Sequence, residues 1–490
     1  MDTTDVAIIG AGFGGLACGL ELARRGRDVV VFERLTYPGG CASTFERRGY
    51  RFESGATLFS GFGQGLLFER WIEDFDLDVE FEGLDPLVTM RTGDLEFEVS
   101  PSRDRFIERF CSVDGAPKEA LRSFFDWQHK VADALWECFE DPELLPPFSI
   151  GSLGRHVMRS PRYLRLASVM GRSFADVLRR HDVWEFEPMR QYADAVCQIT
   201  VQASAERAEA PFALAAMDYF FRGTGHIHGG IGNLARAIAD QIDDFGGSMR
   251  FADPVTALER DAGGWRVDSR RSDLRAGSVV ANLLPSGVAE MLGRDVDDID
   301  ALRDLQRGVE SGWGAAMLYL GVDASKIDGE SAHHLQLVDD PDAAFQEGNH
   351  IFCSISAADE TERAPDGQRT VTVSTHVDMQ RLYDGASDER AAYIDKVHQR
   401  MRDTLKRRAP GVSEAVVFEM TASPRTFERF TGRRRGYVGG IPRTTGLHNY
   451  RNLSPHQVDD DLYLVGDTVF PGQSTLAVAL GGVRVAEAIS

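Results

Sequence analysis

Hydrophobic periodicity changes three times within the first thirty-four residues. Val6-Ala-Ile-Ile9 is an unbroken apolar run, as expected of a strand covered on both faces of a parallel sheet. The segment Gly10-Ala-Gly-Phe-Gly-Gly15 follows, and then Leu16, Leu20 and Ala23 recur at helical spacing until Gly26 stops the pattern. Val29-Val-Val-Phe32 is a second unbroken run and ends on Glu33. The spacing predicts strand, tight turn, helix, strand.

The same reading organises the rest of the chain. Tyr37 to Gly55 reads as a glycine-rich loop with short extended pieces, and residues 86 to 100 as a hairpin around Thr92-Gly93-Asp94. From 103 to 221 Trp, Phe and Leu are spread among charges with few β-branched runs, which predicts an inserted helical block. After Gly229-Gly230, the stripe Ile231, Leu234, Ile238, Ile242 and Phe245 predicts a helix that Gly246-Gly247 ends. Val255–Leu258, Trp265–Val267 and Ser278–Ala281 read as strands, and 313–322 and 369–377 alternate like strands of another sheet. Ile394, Val397, Met401 and Leu405 mark a long helix, and the last thirty residues return to strand and helix. There is no internal repeat. A chain of 490 residues exceeds one ordinary core.

The bare turn is the first chemical signal. In a dinucleotide fold Gly10 makes the sharp turn, Gly12 lets backbone approach a pyrophosphate, and Gly15 lets the helix pack on the strand. The helix N-terminus then faces the phosphates. Glu33, at the end of the second strand, suits a ribose hydroxyl and would repel a 2′-phosphate. The second signal is Asp461 to Ser490, where the strand Leu462–Val465 ends in Gly466-Asp467, Pro471-Gly472 follows, and a helix begins near Ser474 or Thr475. An acid there can bond the ribityl or pyrophosphate end of a flavin, and the next helix can present amides to the ring. Paired with the N-terminal turn, this favours FAD over NAD.

Composition narrows the partners. A net charge of -22 disfavours nucleic acid. The 6 cysteines form no CxxC pair, so neither a zinc site nor a disulfide framework is expected, and a reduced cytoplasmic setting fits. The start carries no secretory signal, and no apolar stretch approaches the roughly 20 residues of a transmembrane helix, so any membrane contact is expected to be peripheral.

With these motifs, and with Pro38-Gly-Gly40, Gly49-Tyr-Arg-Phe-Glu-Ser-Gly55, Gly229-Gly230, Gly436-Tyr-Val-Gly-Gly-Ile-Pro442 and Phe470-Pro-Gly472, the chain resembles the FAD-dependent phytoene desaturase and carotenoid isomerase family over nearly its full length. That family sits within the amine oxidase-like flavoproteins. The resemblance implies an α/β fold: a Rossmann-like FAD-binding domain of glutathione reductase type, a mixed-sheet substrate domain and a helical, membrane-facing insertion. The corresponding division is 1–80, 222–298 and 432–490 for FAD binding, 81–110 and 299–431 for the substrate sheet, and 111–221 for the insertion. Cofactor contacts are expected from Gly10, Gly12, Phe13, Gly14, Gly15, Glu33, Arg34, Gly39, Gly40, Cys41, Val255, Gly466, Asp467, Gly472, Thr475 and Leu476, with Val255 near the adenine. The implied substrate is a long polyene.

Three positions depart from the family pattern. Cys41 stands where desaturases often carry Arg, Ala56 replaces a common proline, and His226-Ile-His228 precedes Gly229 where many relatives have Tyr-Pro. The resemblance implies hydride transfer from an allylic carbon to flavin, with cis/trans isomerisation or polyene saturation as the alternative on one scaffold. A non-catalytic flavin or carotenoid carrier is the alternative outside enzymology. A polyene offers no heteroatom, so no metal ligand and no catalytic acid or base is named. Cys41 is expected to pack as a small residue, His226 and His228 to be loop residues, and His333-His334 a surface pair. Seven arginines between Gly151 and His181 (Arg155, Arg159, Arg162, Arg165, Arg172, Arg179, Arg180) face only Asp176 and are interleaved with Leu164, Leu166, Val169, Met170, Phe174, Val177 and Leu178. Such a stretch suits either anionic lipid or pairing with acids elsewhere in the fold. With no second GxGxxG unit, electrons are expected to leave to an external acceptor such as oxygen or a quinone.

Overall fold

A computed structural model describes residues 2–63, 65–93, 95–141, 144–146, 165–327 and 333–490. Arg155, Arg159, Arg162 and Leu164 of the arginine-rich stretch lie outside the described residues.

The apolar runs assemble one sheet. Asp2–Ile9 pairs in parallel with Val29–Phe32 on one side and with Asp273–Ala281 on the other. Ser248–Arg250 extends the sheet beyond Val29–Phe32, and Leu462–Leu464 pairs in parallel with the C-terminal half of Asp273–Ala281. Val29–Phe32 is buried throughout, as a run without alternation requires. Parallel pairing needs crossovers, and the helices supply them: Phe13–Arg24 packs against both Ile231–Asp244 and the C-terminal Thr475–Ile489. Glycine makes that packing possible. A Cβ on Gly15 would overlap the Gly10 carbonyl oxygen, and one on Gly482 would overlap the Gly14 carbonyl oxygen. The first and last helices therefore touch backbone to backbone.

A second sheet has seven strands in the order Val416–Ala422, Trp313–Asp323, Gln368–Asp378, His350–Ile355, His334–Val338, Val88–Thr92, Leu95–Val99. It is antiparallel except where His334–Val338 meets Val88–Thr92. Alternation sorts its two faces. Leu318, Leu320, Val371, Val373, Leu335, Leu337 and Ile351 pack with Val397, Met401 and Leu405 of the helix Ser387–Arg408 on one side. The opposite side faces the interior cavity.

Helices Arg103–Ser112, Lys118–Glu140, Phe174–Arg180, Glu187–Thr200 and Ala210–Asp218 form the insertion around a core rich in Phe. In its described basic part the structure favours the second of the two readings, pairing within the fold. Val169, Phe174, Val177 and Leu178 are buried in that core, so they offer no lipid-facing stripe. Arg179 pairs with Asp176 and Glu206 and lies over the Trp184 ring. Of the interleaved apolar side chains, Met170 reaches the surface, 39% exposed.

The histidine expectations are corrected. His226 belongs to a short strand, Gly225–Ile227, and is buried with Nε2 2.9 Å from Glu360 Oε2. His334 is fully buried with Nδ1 2.7 Å from Ser354 Oγ, and the His333 ring packs 4.2 Å from that of His226. These groups belong to a polar knot between the two sheets. Glu53 accepts from the Ile231 amide at 3.2 Å, Glu360 accepts from the Gly229 amide at 2.7 Å, and Arg363 lies 3.5 and 3.7 Å from the two carboxylates. Both acids thus sit at the N-terminus of Ile231–Asp244, where the helix dipole favours negative charge. Burial works to raise the Glu360 carboxyl, but the bond from His226 and the charge of Arg363 draw it down to about 2.

Candidate functional site

A cavity of about 830 Å³ runs between the two sheets and the helical insertion. Neighbouring residues define its course. At one end Glu33 is buried at the tip of its strand, its oxygens accepting the Ala11 and Leu35 amides at 2.8 Å each. Burial raises this carboxyl while the two amides lower it. Arg34 lies against Gly432, and Arg433 beside it is paired with Asp467. Asp467 abuts Gly440, and Gly439 abuts Gln202 and Gln473. Gly472 then touches Arg443, whose guanidinium lies over the Phe212 ring. Trp136, Phe139, Ile199, Ala216 and Tyr219 complete an apolar far end.

Thirteen of the sixteen expected contacts line this cavity: Gly10, Gly12, Phe13, Gly14, Glu33, Arg34, Gly39, Gly40, Cys41, Val255, Gly466, Asp467 and Thr475. Gly15, Gly472 and Leu476 stand behind the wall. Gly15 supports the close strand–helix approach, Gly472 packs on Arg443, and Leu476 fills the core near Gly61. His226 and His228 do not reach the cavity wall. The Cys41 thiol is pushed up by burial, with Arg433 and Asp467 acting in opposite directions, so it stays protonated and unreactive near neutrality.

Several wall residues carried no clear signal in the sequence. Asn282 follows the strand Asp273–Ala281 and reaches the Gly10 carbonyl at 3.4 Å. A polar residue at the carboxyl end of the strand beside the first is the kind of position where α/β sheets bind ligands, and that was the available clue. Arg433 and Gln202 sit in segments without a recognisable local pattern, and Gln473 lies inside the C-terminal motif without having been singled out there.

The glycine end fits a dinucleotide on geometry alone. A Cβ on Gly12 would come 2.6 Å from Asn282 Nδ2, and one on Gly466 would come 2.7 Å from Asn282 Oδ1. The Asn282 side chain thus sits against two glycines, and neither adds a side chain of its own to the turn. No side chain caps the helix Phe13–Arg24, whose first amides face that space from the positive end of the dipole. Glu33 retains lone pairs for a ribose hydroxyl. The elongated shape, continuing past Asp467 to a second helix N-terminus at Ser474, suits FAD better than a nucleotide confined to the glycine end.

Comparison with known proteins agrees with this geometry. Residues 8–75 match the NAD(P)-binding Rossmann-like domain. A chloroplastic prolycopene isomerase of Arabidopsis thaliana is 26% identical over 99% of this chain and 82% of its own length. The neurosporene-forming phytoene desaturase of Rhodobacter capsulatus is 26% identical over 98% of this chain and 93% of its own. Among solved structures, cyclohexylamine oxidase from Brevibacterium oxydans superposes with a TM-score of 0.62 at 17% identity, covering 99% of this chain and 98% of that one. Along 98–99% of its length the chain is thus similar to proteins named prolycopene isomerase and phytoene desaturase, and it has the fold of solved amine oxidases.

Proposed function

We infer that the protein is an FAD-dependent carotenoid oxidoreductase, and that its reaction is the desaturation of a polyene. The observation that carries this reading is one continuous cavity that is bare and polar at Glu33 and Gly12, and aromatic at Trp136, Phe139 and Tyr219. Full-length relatives named for carotenoid desaturation and isomerisation support it.

Bound FAD supplies a two-electron exchange with carbon. Gly10, Gly12, Gly14 and the first turn of Phe13–Arg24 would hold its pyrophosphate, Glu33 its ribose, and Asp467 its ribityl chain, with Val255 beside the adenine. The remaining work falls to the protein wall. Ala215, Ala216, Phe139 and Ile199 align a rod-like hydrocarbon and exclude water from it. The faces of Phe139 and Tyr219 are suited to stabilise positive charge that develops along the chain as hydrogen is withdrawn.

The second reading, cis/trans isomerisation, is favoured by the prolycopene isomerases among the relatives. Chromatography of products from purified FAD-loaded protein decides between them. Desaturation yields a product two hydrogens lighter and needs an added acceptor, oxygen or a quinone; isomerisation yields equal mass, needs no acceptor and is assayed with the flavin reduced. Failure of both with folded, FAD-loaded protein would overturn the proposal.

Substrate of this kind resides in lipid, and peripheral membrane contact belongs to the proposal. No helix among the described residues is long and apolar enough to cross a membrane. Leu447, 66% exposed, lies against Gly171, the residue after the exposed Met170, with Arg165, Arg172 and Arg451 exposed nearby in sequence. Apolar side chains ringed by cations suit an anionic surface.

A further inference from the structure

The sheet face that lines the cavity carries polar groups where a plain hydrocarbon calls for none. His376 and Ser374 are two residues apart on the strand Gln368–Asp378, so they project to one side. Their ladder partners Ala315 and Met317 line the same cavity, as does Phe352 on the neighbouring strand. The His376 imidazole makes no hydrogen bond to a described residue; its near neighbour is the Trp313 ring, 6.0 Å away and close to perpendicular at 78°. Trp313 Nε1 donates to the Gln202 backbone carbonyl at 2.9 Å, which brings Gln202 into the same corner. The Gln202 side chain donates through Nε2 to the Val438 carbonyl at 3.3 Å, and its Oε1 is buried without a partner.

Burial lowers His376 to about 4, so the ring is neutral near pH 7, with one nitrogen donating and the other accepting. Groups of this kind facing only hydrocarbon are left desolvated and unpaired, which costs binding energy. A carbonyl on the ligand could accept from His376, but it has no proton for Gln202 Oε1. A hydroxyl, which offers both a proton and lone pairs, suits either group.

Resting on the polyene reading above, we propose that the substrate carries a hydroxyl group at the end lodged against the sheet, and that His376, Ser374 and Gln202 select it over an unsubstituted hydrocarbon end. The wall then has a stated use for each polar group, and the aromatic remainder of the cavity takes the conjugated chain. His376 acts here as a specificity residue through direct contact with the ligand oxygen.

The test is a binding titration of FAD-loaded protein in detergent micelles, following quenching of tryptophan fluorescence. Two polyenes of equal conjugated length are compared, one with a terminal hydroxyl and one without, and conversion of each is read in parallel. The alcohol should bind at least about tenfold more tightly, the discrimination that a buried hydrogen-bonding site gives against an analogue lacking the group. His376→Phe and Gln202→Leu should each reduce that preference to about threefold or less. Equal binding of the two polyenes by the native protein overturns the proposal, as does a preference unmoved in both variants. Should one variant fail to fold, the native titration and the other variant still decide. Selective binding without conversion of either polyene would overturn the reaction while leaving the selection standing. Conversion of both without selectivity would do the reverse.

Discussion

Arg433 Nη2 lies 2.8 Å from Asp467 Oδ2 and 3.1 Å from Oδ1, tying the segment after the substrate sheet to the acid that ends the C-terminal strand. Burial works against the Arg433 charge, but Asp467 more than offsets it and the guanidinium is held above its usual value. Removing one partner leaves the other charge in a poorly solvated wall. Asp467→Ala should destabilise the fold by about 2 kcal/mol and weaken FAD binding at least about tenfold. Chemical denaturation and FAD titration of the apoprotein measure the two effects. The Asp467→Ala, Arg433→Met double variant should recover part of the stability and none of the FAD affinity.

Two glycines in one turn should fail differently. A methyl on Gly15 meets the Gly10 carbonyl oxygen, backbone against backbone, so Gly15→Ala should lower stability by about 2 kcal/mol or more. A methyl on Gly12 meets the end of the Asn282 side chain at 2.6 Å, which can rotate away. Gly12→Ala should therefore keep its melting temperature and lose FAD. Calorimetry alongside flavin content separates the two outcomes.

Acid should unfold the protein early. His334 and His350 are 0% and 2% exposed, and burial lowers each to about 3. In the unfolded chain they take up protons near 6.5, while in the folded chain they do so only near 3. Stability is thus fully present above pH 6.5 and lost as pH falls toward 3, at up to about 1.4 kcal/mol per pH unit for each histidine. Glu360 adds a loss between its unfolded value of 4.5 and about 2. Urea unfolding at pH 7.5, 6 and 5 should show falling midpoints, with a shallower fall in His334→Asn, whose amide can still meet Ser354.

The membrane contact has a direct test. Leu447→Glu and Met170→Glu alter exposed side chains, so both variants should fold with melting temperatures near the native one. Each should float several-fold less with vesicles containing anionic lipid. Equal flotation of both variants would remove this surface as the dock.

The N-terminal strand, turn and helix were legible in the sequence because each relies on neighbours in the chain: Val29–Phe32 is apolar on both faces, and Gly10 to Gly15 leave the turn bare. The hairpin around Gly93 and the stripe from Ile231 to Ile242 were legible for the same reason. His333 and His334 were misread because nothing in a His-His pair says which side of a sheet will be covered; burial came from Gly225–Ile227, more than a hundred positions away. The apolar residues after Val169 did have a buried face, but the face they found was the Phe-rich core of the insertion. Arg433 and Gln202 depend wholly on long-range contacts, which no local spacing encodes.

The backbone contact between Gly14 and Gly482 also has a consequence for biogenesis. During synthesis the strand Asp2–Ile9 and the helix Phe13–Arg24 leave the ribosome about 450 residues before Thr475–Ile489, the helix that covers them. Until Thr475–Ile489 emerges, a long nascent chain holds an apolar helix face without its partner, which exposes it to aggregation or chaperone capture. Removing Thr475–Ile489 should therefore yield insoluble material rather than a weaker enzyme.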